Sequence, residues 1–172
     1  MTTLAHESLL QLLAEISVAF VGFSMLASAF RSNRGDDFVR FADLRNVAET
    51  GLLAMIGSLL PLLLHAVGCP TEWTWRVSSA VLAVLWTAGA TAANRRQGYL
   101  RDRMQARPVR IAFVHGLSAL VVVLGIANMF FPGTTSGGRH VLQVSLCILQ
   151  SAQLFLLAGF EGTDPPRDDD GA

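Results

Sequence analysis

Ten of the thirteen arginines in this chain fall in two short blocks, Arg31 to Arg45 and Arg95 to Arg110, and there is no lysine. Long apolar runs separate the blocks, and that alternation narrows the choice of fold more than any other feature. Arginine-rich short segments stay on the cytoplasmic side of a membrane during insertion, so the blocks report orientation as well as class. Composition agrees: the chain is 52% hydrophobic and 15% charged, whereas soluble domains carry roughly 25% charge. A nucleic-acid binder would display its basic residues on a folded polar face. These arginines flank membrane-length runs instead, so nucleic acid is not expected as a partner; the lipid bilayer is.

Crossing a hydrocarbon core of about 30 Å takes about 20 helical residues. Five segments are candidates, at about 9–30, 47–67, 77–93, 111–131 and 141–160. Helices are expected because a lone strand would leave backbone groups unpaired in lipid, and none of the segments shows the alternation of a barrel strand. The third segment is the weakest, being diluted by Ser78, Ser79, Thr87 and Thr91. If it did not cross, the two arginine blocks would lie on opposite sides. Five crossings put both in the cytoplasm, with the N-terminus outside and the C-terminus inside. The expectation is an all-α membrane protein: a single five-span helical domain over residues 1–163, then a short acidic, disordered tail over 164–172.

Local signals support these limits. The first run has no preceding positive charge and contains Glu15, so it reads as an uncleaved span rather than a signal peptide. Gly68 and Pro70 end the second span, and Pro132-Gly133 end the fourth. Stretches 68–76 and 132–140 are expected as external turns, with Trp73 and Trp75 at headgroup level. Pro61 lies inside the second span and removes the amide that would bond to Gly57, so a kink is expected there.

Few residues suggest chemistry. Glu15 falls about seven residues into the first span, roughly 10 Å below the outer edge. A carboxylate at mid-bilayer costs about 2.5–3.5 kcal/mol, so such groups turn inward or become neutral. Glu15 shares a narrow helical face with Ser8, Gln11, Gly22 and Ala29, while Ser17, Ser24 and Ser28 form a second stripe. It reads either as a proton or cation site, with His65 as the neighbour at similar depth, or as a protonated carboxyl hydrogen-bonded to another helix. Gln143, Cys147 and Gln150 make a polar stripe on the fifth span, suited to helix association. Arg95, Arg96, Arg101, Arg103, Arg107 and Arg110 set topology and are candidate contacts for anionic lipid headgroups at the cytoplasmic face, each contributing about 1 kcal/mol near the surface.

Other chemistry is not indicated. His65 and His115 fall on opposite sides of the membrane, and His6 and His140 lie outside the spans. No HExxH or similar cluster accompanies them, so no metal and no cofactor are expected. Cys69 and Cys147 are placed too differently for a disulfide. The absence of a Ser/His/Asp set or a phosphate-binding loop argues against an enzyme, and no catalytic residue is assigned. Arginine without lysine is associated with GC-rich bacterial genomes, the basis for expecting a bacterial inner-membrane location. The leading expectation is a small multi-pass protein acting by helix-mediated association, as a homo-oligomer or as a subunit of a membrane complex. The alternative is a transporter or channel for protons or cations built on Glu15. Topology is directly testable. A fluorescent protein fused at the C-terminus should fluoresce, and alkaline phosphatase at the same point should be inactive; the reverse pattern would overturn the orientation.

Overall fold

A computed structural model describes residues 6–31, 38–98, 108–131 and 133–160, with backbone alone at several helix ends. These residues form five α-helices: α1 (Glu7–Arg31), α2 (Phe38–Ala66), α3 (Thr71–Gly98), α4 (Pro108–Phe130) and α5 (Ser136–Phe160). Among the described residues, three stretches are long and apolar enough to cross a membrane: Glu7–Ala27, Leu44–Ala66 and Thr71–Arg95. The third segment, weakest in sequence, is one of the three because α3 begins earlier and ends later than its apolar part. The external turn expected over 68–76 shrinks accordingly. Gly68 takes the left-handed conformation (φ 84°) that ends α2, and Thr71 already opens α3. α2 continues through Pro61 as a single helix.

The helices pack as a bundle in which α5 touches each of the other four and α2 touches α1, α3 and α5. Polarity runs inside out. Ser17, Ser58, Ser79, Asn128, His140 and Gln143 are fully buried, while Leu12, Phe23, Leu63, Val84, Val123 and Phe130 are exposed. So much exposed apolar surface is a liability in water and the expected exterior in lipid. α5 turns its His140, Gln143, Gln150 and Ser151 into the bundle.

Small residues set the closest approaches. A Cβ on Gly125 of α4 would lie 2.7 Å from Ala83 Cβ, 2.9 Å from Gln143 Nε2 and 3.0 Å from the Ser79 carbonyl. On Gly57 of α2 it would meet Leu82 at 2.8 Å and Val144 at 3.2 Å. Gly51 rests against Val21 and the Ser17 carbonyl, where Ser17 folds its hydroxyl onto the Leu13 carbonyl (2.7 Å). Ser17 and Ser24 therefore form the inner seam of α1. Gly116, by contrast, has open space where a Cβ would go. Gly125→Ala should lower bundle stability by about 1–3 kcal/mol through overpacking, read as a fall in the thermal midpoint in detergent. Gly116→Ala should leave it unchanged or slightly raised; equal behaviour of the two variants would refute the close approach.

Candidate functional site

The buried polar groups converge where α2, α3, α4 and α5 meet, and the convergence begins with Pro61. In a helix the carbonyl of residue 57 accepts from the amide of residue 61, which proline lacks. His140 of α5 supplies the missing donor: its Nε2 lies 2.8 Å from the Gly57 oxygen. A carbonyl only accepts, so Nε2 carries the proton. In the neutral ring Nδ1 is the acceptor, and it receives the Ser79 hydroxyl of α3 at 2.9 Å. Ser79 Oγ in turn accepts from Asn128 Nδ2 of α4 (2.9 Å), which also donates to the Ser136 carbonyl (2.9 Å). One uninterrupted chain of donors and acceptors thus ties four helices together, with a neutral imidazole at its centre.

Gln143, one turn along α5, bridges to α3 and α4 as well. Its Nε2 donates to the Val121 carbonyl at 3.1 Å and the Ser79 carbonyl at 3.3 Å. Trp75 closes the node on one side, its ring 5.8 Å from that of His140. Further along α5, Gln150 bonds Ser118 of α4 (3.2 Å) and Ser151 donates to Thr50 of α2 (2.7 Å). Cys147 lies between these layers, fully buried and free, and Cys69 is free as well. Gln143, Cys147 and Gln150 are therefore gathered inside one chain, facing its own helices rather than its surface.

The Ser79–His140 contact resembles an activated nucleophile and its base. Neither side chain has exposed surface, and Ser79 Oγ already accepts from Asn128. In this arrangement the pair joins helices.

Sequence reasoning placed His140 in an external turn; α5 instead starts at Ser136 and carries His140 fully buried. Two signals pointed there. Pro61 leaves one carbonyl in need of a donor, and Asn128 and Gln143 are amides in apolar runs that need partners. Trp75 was expected at headgroup level and is only 4% exposed, whereas Trp73 is 55% exposed and lies under the Arg76 guanidinium at 5.4 Å.

Glu15 sits in a different environment. Ser8, Gln11, Glu15, Gly22 and Ala29 are all exposed, so this face of α1 points away from the bundle. Glu15 makes no hydrogen bond or ion pair with a described residue, and a Cβ on Gly22 would meet nothing within 4 Å. Gly51 packs at the level of Ser17 and Val21, and Leu10 and Leu62 share one cluster, so α1 and α2 run antiparallel. That register sets Glu15 level with Met55, and His65 about ten residues, about 15 Å, further along α2. Glu15 and His65 are not brought together. Glu49 pairs with Arg45 one turn earlier (2.8 Å), and His115 is exposed on α4. Arg95 is exposed at the end of α3. Arg101, Arg103 and Arg107 lie outside the described residues, as do the side chains of Arg96 and Arg110.

No protein-family model, curated protein or solved structure matches this chain. The node itself supplies a test. His140→Leu should destabilise the bundle by about 1–3 kcal/mol, because it strands the Gly57 carbonyl and the Ser79 hydroxyl. Pro61→Ala puts an amide back opposite Gly57, so the same His140 substitution should cost about 1 kcal/mol less in that background. Strictly additive energies in the double-mutant cycle would refute the complementarity of Pro61 and His140.

Proposed function

We propose that this is a small multi-pass protein of the bacterial inner membrane, crossing five times with its N-terminus outside, which works by helix-mediated association as a homo-oligomer or as a subunit of a membrane complex. The observation that carries this reading is the outward face of α1. Its carboxyl and amide, Glu15 and Gln11, are exposed within a membrane-length helix, beside the small residues Ala19, Gly22 and Ala29. Polar side chains in hydrocarbon seek interhelical hydrogen bonds, and small residues let a second backbone come close. The inner seam of α1 is already occupied by α2, which leaves the Glu15 face for another helix. The glutamines of α5 are taken up internally, so the association surface is drawn on α1 rather than on the stripe of Gln143, Cys147 and Gln150.

A second reading rests on the same carboxyl. Glu15 is exposed and without a hydrogen-bond partner among the described residues, the condition of a group that exchanges a proton or binds a cation from a pathway. In this reading the protein is a transporter or channel, with His65 a later station on any route.

The two readings separate on substitution. If α1 mediates association, the double substitution Glu15→Leu and Gly22→Leu should move the protein from oligomer to monomer in light scattering of detergent-purified samples. Val123→Ala, on exposed α4 surface, should not. If Glu15 moves ions, Glu15→Gln in proteoliposomes should abolish proton or cation flux while the oligomer persists. A wild-type monomer, or an oligomer indifferent to the double substitution, would end the association reading.

A further inference from the structure

A groove of the described surface lies between α3 and α4. It measures about 890 Å³ and runs from Ala80 and Met129 at one end to Arg95 at the other. Its α3 wall is built almost entirely of small residues, Ala80, Ala83, Thr87, Ala88, Thr91 and Ala92. The helices come close at Gly125, where a Cβ would lie 2.7 Å from Ala83 Cβ, and the trough runs beside that crossing. Both threonine hydroxyls donate within their own helix, Thr87 to the Ala83 carbonyl (2.8 Å) and Thr91 to the Thr87 carbonyl (2.7 Å). The described wall therefore shows mainly methyl and methylene groups, with both threonine protons committed within the helix. Among the described residues, Arg95 is the only charged one lining the groove, exposed at its end and without an ion-pair partner.

We infer that this groove holds a phospholipid with an anionic headgroup, an acyl chain lying along α3 and α4 and its phosphate on Arg95. The inference rests on the proposed membrane location, in which the end of α3 lies at the cytoplasmic headgroups. Dimensions support it. From Ala80 to Arg95 is about 22 Å of helix, which accommodates one leaflet's share of a hydrocarbon core, about 15 Å, and the headgroup beyond it. Charge decides the headgroup: one guanidinium at the mouth of an apolar trough matches a phosphate with a net negative charge, and basic sites between spanning helices at that side recognise anionic lipids. A second helix in the trough would gain nothing from that cation.

The test uses the full-length protein extracted in mild detergent and offered dioleoyl phosphatidylglycerol or dioleoyl phosphatidylcholine, with bound lipid read by native mass spectrometry. The wild type should prefer phosphatidylglycerol by about fivefold. Arg95→Gln should bind both lipids equally, and Ala88→Phe, which fills the trough from an exposed position, should bind neither. Undiminished phosphatidylglycerol preference in Arg95→Gln would overturn the headgroup assignment. Lipid retained in Ala88→Phe, or a dimer lost on that substitution, would overturn the groove as its site. Vesicle flotation keeps the two proposals apart. Wild-type protein that does not float overturns the membrane location and the lipid site with it, whereas protein that floats but carries no phospholipid overturns the lipid site alone.

Discussion

The bond from His140 to the Gly57 carbonyl is the contact on which the rest of the bundle depends. It exists because Pro61 withdraws the amide that would otherwise satisfy that oxygen. In hydrocarbon an unsatisfied carbonyl is costly, and water is not at hand to relieve it. The imidazole relieves it and is itself completed by Ser79, which Asn128 completes in turn. Each member makes the next one necessary, so the helices are held in one register. Gly57 and Gly125 belong to the same device, since a Cβ at either would push apart the backbones that these bonds draw together.

This node also explains why α5, with His140, Gln143 and Gln150, occupies the middle. Its polar side chains are a liability facing lipid and an adhesive facing protein. Burying them against α2, α3 and α4 turns the first into the second. The exterior can then be largely apolar, and among the polar groups it does show are a carboxyl and an amide on the free face of α1 and the arginine at the end of the α3–α4 trough. The proposed association surface and the proposed lipid site both rest on polar groups set in otherwise apolar helical surface.

Much of this was legible from the chain. The five helices follow from apolar length and from the arginine blocks. Helical periodicity also separated the Glu15 face of α1 from the serine stripe, and these prove to be its outer and inner faces. Periodicity cannot say which is which, because in a membrane protein both sides of a helix contact apolar material. The same ambiguity left the glutamines of α5 undirected. His140 was lost for a different reason: four residues of glycine, serine and arginine before it read as a loop, whereas they form the first turn of α5, with Gly137 and His140 against Trp75.

By itself, then, the sequence determined the helical class, the approximate limits of the apolar segments and the presence of one proline-vacated carbonyl, because each depends only on neighbours along the chain. Tertiary structure decided which polar groups meet. It paired His140 with Gly57, turned Gln143 and Gln150 inward, parted Glu15 from His65 and opened the trough that ends at Arg95. Those outcomes depend on the relative rotation and register of packed helices. Rotation and register are set by where small residues let two backbones approach and by which donor can reach which acceptor, quantities that no single segment carries.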